Sequence, residues 1–244
     1  KMNYRMRINW NFLKLIALIL VIMGLYAFSN SRNSAKNVTG MKVEFIGDDN
    51  LYLTEGTVNK LLIQKYGSLK NVPKENIVLN TVEKAIEANE MVKSAQVYLT
   101  IDGELTSKIV QRKPIGRIEG DKKYYLDDEG KRMPLSNNHS ARVPIITGNI
   151  SGKSLEDVYV ILEHINKDDF FRKTIIGIHI KGENEYQLRL RLNNFVVNLG
   201  GVEDLDAKFS NFKAFYAKAN KDETLEDYAV VSLEFNNQVV CTKI

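Results

Sequence analysis

The stretch Val92–Ile115, VKSAQVYLTIDGELTSKIVQRKPI, carries the pattern that decides the fold of the first globular region. Apolar and polar residues alternate from Ala95 to Ile101, which is the period of a strand with one buried face. Asp102-Gly103 then supplies a two-residue hairpin turn, and Leu105 begins the apolar pattern of a returning strand. The stretch therefore predicts a β-hairpin.

A strand and two helices are predicted before the hairpin. Val43 and Phe45 flank a charged residue at strand spacing. Thr54 is a candidate N-cap for a helix whose apolar residues recur at helical spacing. Asn80, followed three residues later by Glu83, resembles the capping box of a second helix. Residues 41–112 therefore predict a module in the order strand, helix, helix, strand, strand, whose sheet has helices on one face and open edges.

Residues 113–244 are predicted to form a second, strand-rich domain with two helices. Strand-period alternation recurs in four segments, Ile176–Ile180, Tyr186–Leu192, Tyr228–Phe235 and Gln238–Thr242. Ser154 is the candidate N-cap of the first helix, and a stripe of apolar residues from Leu205 to Tyr216 marks the second. The expected fold class of the whole chain is α+β.

The N-terminal region has the composition of a membrane anchor. Residues 8–28, INWNFLKLIALILVIMGLYAF, contain one charge, at Lys14, and are long enough to cross a hydrocarbon layer about 30 Å thick. Basic residues precede the apolar run, so residues 1–7 are predicted to be cytoplasmic and the rest of the chain exported. Residues 29–40 are polar and are predicted to be a linker. A cleaved signal peptide is the alternative, because Ala27-Phe28-Ser29 resembles a cleavage site.

The charges are unevenly distributed along the chain. Lys and Arg number 34, and Asp and Glu number 30. Seven of the basic residues and none of the acidic ones precede Glu44, so residues 44–244 carry 27 basic and 30 acidic side chains, a net charge of −3. This region lacks the cationic excess that nucleic-acid binding requires. The single cysteine, Cys241, excludes an internal disulfide and a zinc site with several thiolates, and is expected to be a small buried apolar side chain.

No motif of the sequence meets the requirements of a catalytic or metal site. Gly148–Ser154, GNISGKS, resembles a phosphate-binding loop but has three residues between its glycines where that motif has four. Asp127-Asp128-Glu129 lacks the alternate spacing of a calcium loop. The histidines His139, His164 and His179 stand in no metal-ligand motif. We therefore expect no catalytic residue, no cofactor, no metal and no small-molecule substrate.

Four segments in order behind the apolar run resemble the FtsQ/DivIB family of bacterial cell-division proteins. The first is VEFIGDDNLYLTEGTV at Val43–Val58. The second is Val92–Ile118, which contains the basic-Pro-aliphatic signature Arg112-Lys113-Pro114-Ile115. The third is YYLDDEGKRMPL followed by VPIITG at Val143–Gly148, and the last is the closing YAVVSLEFNNQVVCTK. The resemblance implies a POTRA-type module next to the membrane and a β domain beyond it.

The resemblance also implies a function and a binding surface. Proteins of this family are non-enzymatic scaffolds of the divisome, held in the inner (plasma) membrane at the septum. They bind partners of the FtsB and FtsL type while septal cell-wall synthesis is organised, and septal peptidoglycan synthases are further candidate partners. In the family, a partner strand adds to the last strand of the β domain, which fits a terminal strand with one free edge.

The resemblance places the candidate contact residues near the C-terminal end. By position, Phe235 matches an aromatic contact residue of the family, and Asn237, Gln238, Val240 and Thr242 follow on the candidate edge. The alternative for Phe235 is packing in the core.

Two other functions stay open from the sequence. A POTRA-bearing export or outer-membrane assembly factor would carry several modules or a barrel. A membrane-tethered enzyme would need titratable residues that converge in a pocket.

Overall fold

The computed structural model describes residues 10–34, 36–47, 50–235 and 238–244. The helices of this described part are α1 Trp10–Ser34, α2 Glu55–Tyr66, α3 Leu79–Glu87, α4 Gly152–Lys167, α5 Asp169–Thr174 and α6 Leu205–Lys221. The strands are β1 Gly40–Ile46, β2 Val92–Leu99, β3 Glu104–Gln111, β4 Pro114–Glu119, β5 Lys123–Asp127, β6 Arg132–Met133, β7 Ile145–Gly148, β8 Ile175–Gly182, β9 Glu185–Leu190, β10 Val196–Gly200, β11 Tyr228–Ser232 and β12 Val240–Lys243. The predicted fold class, α+β, is confirmed.

Among the described residues, α1 is the one helix long and apolar enough to cross a membrane. Its candidate span is Trp10–Arg32, with a mean hydropathy of 2.3, and it is fully exposed in the isolated chain. The helix continues past the predicted end at Phe28 to Ser34, so the first half of the segment predicted as a linker is helical. The predicted tail, residues 1–7, lies outside the described residues.

Contacts divide the chain into two compact units. The N-terminal unit contains the described residues up to Ile46 together with Thr54–Asn89 and Ser94–Ile109, and the C-terminal unit contains segments 47–53 and 90–93 and everything from Val110 onward. Segment 47–53 belongs to the C-terminal unit because the buried Gln111 side chain holds it. The Oε1 atom of Gln111 accepts the N–H groups of Tyr52 and Leu53 at 3.0 and 3.1 Å. The limits 41–112 and 113–244 stay a prediction.

The N-terminal unit has a three-stranded sheet in the order β1-β3-β2, with α2 and α3 in its core. Thr54 is confirmed as the N-cap of α2, where its hydroxyl accepts the N–H of Thr57. The predicted capping box at Asn80 is wrong, because α3 already begins at Leu79 without a side-chain cap. The predicted hairpin forms, but β2 ends at Leu99, and Ile101 is 86% exposed instead of continuing the buried face.

The C-terminal unit is built on one nine-stranded sheet in the order β12-β11-β10-β9-β8-β7-β4-β5-β6. Helices α4, α5 and α6 contribute apolar side chains to a single large core with the strands. The N-cap of α4 is Ser151, and the predicted Ser154 occupies the third helical position, where its hydroxyl accepts the Ser151 N–H at 2.7 Å. Local spacing suggested the wrong serine because either hydroxyl can serve as a cap.

Candidate partner-binding edge

The last strand, β12, is an edge of the nine-stranded sheet. It pairs antiparallel with β11, with Val231 opposite Cys241 and Ser232 opposite Val240. The N–H of Ile244, directly after the strand, donates to the carbonyl of Asp227 at 3.0 Å. Because successive residues of a strand point their N–H and C=O groups to opposite sides, Val240 and Thr242 also face β11. The main-chain groups of Cys241 and Lys243 therefore face the free edge.

A row of apolar side chains crosses the sheet and ends at this edge. Paired residues on seven neighbouring strands form the row, in the order Ile118, Ile146, Ile178, Leu188, Val197, Val231 and Cys241. The first six are at most 1% exposed. Cys241 packs against the same core but is only partly buried, and its burial raises the pKa of the thiol. The expected burial of Cys241 is therefore only partial, because among the described residues β12 has a neighbouring strand on one side only.

The opposite face of the sheet carries a second, mostly polar row, formed by the chain neighbours of the residues in the apolar row. Thr147, His179, Gln187, Asn198, Ser232 and Val240 are paired in sequence across six strands. The Thr147 hydroxyl lies 3.0 Å from Nδ1 of His179, and the Gln187 amide donates to Asn198 at 2.7 Å. Val240, which ends this row, is 41% exposed and is its only apolar member. At β12, both faces of the sheet thus present an incompletely covered side chain.

The predicted contact residues fall at or beside this edge. Phe235 follows β11 and is 50% exposed, so the alternative of full core packing does not hold. Gln238 is exposed, and its N–H lies 3.4 Å from the carbonyl of Phe235. Thr242 is exposed on β12. Asn237 lies outside the described residues. Their role in binding stays a prediction.

Two other strand edges, those of β2 and β6, are less open than the edge of β12. In the N-terminal unit, Glu83 accepts the N–H of Val97 at 2.8 Å, and Glu87 accepts that of Ala95 at 3.1 Å. These carboxylates occupy donors on the outer side of β2. At the far end of the nine-stranded sheet, β6 has two residues, of which Met133 is fully buried. Short edges and blocked donors disfavour strand addition, so β12 is the better candidate.

Gly148 and His164, which belong to motifs considered for catalysis, make structural contacts. Among the described residues, no three His, Cys, Asp or Glu side chains are placed to hold a metal ion. Gly148, in the loop that resembles a phosphate-binding motif, has a φ of 102°, and a Cβ atom there would clash with the carbonyl of Ile180. His164 bonds to the Val160 carbonyl and to Asp206. Gly148 thus lies at a close approach of the paired strands β7 and β8.

A buried ion pair connects two of the sequence segments quoted above. Arg112 donates to the fully buried carboxylate of Asp127 at 2.7 Å. The other carboxylate oxygen of Asp127 accepts the main-chain N–H groups of Glu129 and Lys131 at 3.0 and 2.7 Å. The sequence pattern of Asp127-Asp128-Glu129 is typical of a solvated turn, but Asp127 is fully buried. The basic residue next to Pro114 and the Asp of the YYLDDEG segment therefore form one structural unit.

Comparison with known proteins agrees with this architecture. The family model described as FtsQ/DivIB, C-terminal related, matches residues 113–242, which is more than half of the chain. The chain belongs to the FtsQ/DivIB family. A model of the POTRA-like domain matches residues 41–110, the region of the three-stranded sheet.

A curated relative supports the same family assignment. The cell division protein DivIB of Clostridium tetani (strain Massachusetts / E88) is 27% identical over 173 residues, which cover 65% of this chain. The match spans 64% of the length of that relative. Together with α1, membership of the FtsQ/DivIB family suggests a single-pass membrane protein.

Proposed function

We propose that this FtsQ/DivIB protein is a non-enzymatic scaffold of the divisome that captures a partner strand along β12. The partners are membrane proteins of the FtsB and FtsL type, and the complex helps to organise septal cell-wall synthesis. In this proposal α1 spans the plasma membrane with its N-terminus in the cytoplasm, and both folded units lie outside. The observation that carries the proposal is the apolar row that ends at the partly buried Cys241 on a free strand edge.

A strand added next to β12 would complete both the hydrogen bonds and the core. The outward N–H and C=O groups of Cys241 and Lys243 would pair with the main chain of the partner. A side chain of the partner beside Cys241 would extend the apolar row by one position and bury the rest of the thiol. On the other face, Val240 and the half-exposed Phe235 would contact alternate side chains of the same strand.

The chemistry of the edge defines the kind of segment that fits. Main-chain pairing gives affinity for any extended peptide, and the side chains above and below the strand select among them. The segment should carry an apolar residue at the position next to Cys241. The partner residues next to Val240 and Thr242 should be compatible with partial exposure to solvent, because the other members of the row through Val240 are polar. An amphipathic strand of a membrane-tethered partner meets these requirements.

Site-specific photo-crosslinking in the native cell tests the proposal. A photoreactive phenylalanine analogue replaces Val240 in one strain and Val160, a similarly exposed residue of α4, in the control strain. We expect the FtsB- or FtsL-type partner to be crosslinked from position 240 and not from 160. Depletion of the protein should produce filamentous cells, and a fluorescent fusion should form a band at mid-cell.

Two results would contradict the proposal. Normal division of depleted cells would remove the role in cell division. Division defects combined with crosslinking of the partner at 160 and not at 240 would keep that role but reject β12 as the binding edge.

A further inference from the structure

We infer that the turn of the N-terminal hairpin, Thr100–Gly103, rests on the lipid surface and inserts the side chain of Ile101 into the interface of the membrane that α1 spans. The surface concerned is the end of the N-terminal unit that includes this turn and segment Lys36–Thr39, and we call it the membrane-proximal end. This goes beyond the scaffold role, since it concerns lipid and not a protein partner.

The connection between α1 and the rest of the N-terminal unit is short. A helix of 25 residues is about 37 Å long, which exceeds a hydrocarbon layer of about 30 Å, so its last turn reaches the headgroups. Lys36 follows Ser34 by two residues, a distance of at most about 7 Å. From Lys36 onward the chain is bound to the unit. The carbonyl of Lys36 accepts the N–H of Lys74 at 3.0 Å, and Val38 is completely buried.

The same contacts bring the hairpin turn to this point. The ammonium of Lys74 donates to the carbonyls of Thr100 and Ile101, each at 3.3 Å. The N–H of Thr39 donates to the carbonyl of Gly103 at 2.9 Å. Lys74 thus binds Lys36 through its main chain and the turn through its side chain. The main chain of Ile101 therefore lies one lysine and two hydrogen bonds away from the main chain of Lys36, which follows the end of α1 by two residues.

Ile101 is an apolar side chain that the fold leaves in water. It is 86% exposed, while Leu105, at the start of the returning strand, is buried. A branched aliphatic residue at a hairpin turn is unusual, because turns favour Gly, Asn, Asp and Ser. Lys36, whose carbonyl is bonded to Lys74, is exposed and suits contact with lipid phosphates. Because α1 tethers the turn near the bilayer, the effective concentration of Ile101 at the interface is high. Even a weak affinity of this side chain for lipid is then sufficient for binding.

Fluorescence of the full-length chain in lipid nanodiscs tests the inference. A Cys241→Ser background receives either Ile101→Cys or the control Ile46→Cys, each labelled with the polarity-sensitive dye NBD. Ile46 is also an exposed isoleucine, 47%, but lies at the far end of the seven-residue β1, about 20 Å from Gly40. The nanodiscs contain phosphatidylethanolamine and phosphatidylglycerol, with spin-labelled lipid as one quencher and aqueous iodide as the other.

The expected result is opposite behaviour of the two positions. The dye at 101 should be quenched by spin-labelled lipid and be several-fold less accessible to iodide than the dye at 46. Equal iodide quenching at the two positions, without quenching by lipid, would overturn the inference. Trp10, the only tryptophan, reports separately on α1. Quenching of Trp10 by lipid without quenching at 101 rejects only the contact of the turn, and absence of both rejects the membrane anchor as well.

Discussion

Val231 and Cys241 lie opposite each other on the last two strands of the sheet, and only Val231 is completely buried. Both belong to the same apolar row, so the difference comes from position alone. Val231 has a neighbouring strand on each side, whereas Cys241 has one. The core of the C-terminal unit therefore reaches the edge of the sheet without being closed there, and this is the physical reason to expect a further strand.

The orientation of the β12 main chain predicts opposite effects for proline at two adjacent positions. Lys243→Pro removes an N–H that faces the free edge, so it should weaken binding of the partner by about tenfold or more, or about 1.4 kcal/mol, and leave the fold intact. Thr242→Pro removes an N–H that faces β11 and should lower the free energy of unfolding by at least about 1 kcal/mol. Binding and thermal unfolding of both variants provide the measurements. Equal binding by Lys243→Pro and Lys243→Ala would argue against strand addition.

Phe235→Lys should weaken binding of the partner without unfolding the protein. The ring is half exposed, so we expect a change in stability within about 0.5 kcal/mol. If the ring is a central contact, the loss of binding should be about 2 kcal/mol, or about thirtyfold. Leu192→Lys, at an 80% exposed position, is the matched control. Co-purification of the partner at wild-type abundance with Phe235→Lys would sink this assignment.

Asp127→Ala should strongly destabilise the C-terminal unit. The substitution leaves the guanidinium of Arg112, whose side chain is 14% exposed, without its buried partner and frees two main-chain N–H groups. Breaking a buried pair from one side costs about 3–5 kcal/mol, which denaturant unfolding can measure. The exposed Asp121 provides a control, since Asp121→Ala should change stability by no more than about 0.5 kcal/mol. A similar small effect for both variants would show that the ion pair is dispensable.

The two glycines of the GNISGKS segment should respond differently to alanine. Gly148→Ala places a Cβ against the Ile180 carbonyl at a positive φ and should cost about 1–3 kcal/mol in stability. Gly152→Ala has no heavy atom within 4 Å of the new methyl group and should be tolerated. Thermal unfolding of both variants makes the comparison. A phosphate-binding loop would instead require both glycines for binding of the anion, and a stable Gly148→Ala variant would refute the role of Gly148 in the close approach of β7 and β8.

Local patterns were sufficient to predict much of this protein. The uncharged run after Lys14 predicted the membrane helix, because crossing a hydrocarbon layer is a matter of length and polarity. The N-cap at Thr54 and the hairpin around Gly103 depend on residues close in sequence, and both are present in the structure. Ser154 was misassigned because the two serines Ser151 and Ser154 compete for the same cap. Asn80 was misassigned because α3 begins one residue earlier, at Leu79, without a side-chain cap.

The tertiary structure decided which strands are neighbours and which side chains remain exposed. The period of a strand shows which of its residues share a face, but not which strand lies beside it. The parallel pairing of β10 with β11, which puts β12 at the edge of the sheet, joins segments separated by α6 and has no local signal. The ion pair between Arg112 and Asp127 and the bond from Lys74 to Ile101 likewise join residues that are distant in sequence. The sequence by itself determined the apolar run of α1, most of the order of elements and the apolar faces, although it missed α5. Only long-range packing decided that Cys241 borders an open edge and that Lys74 bonds to the turn at Ile101.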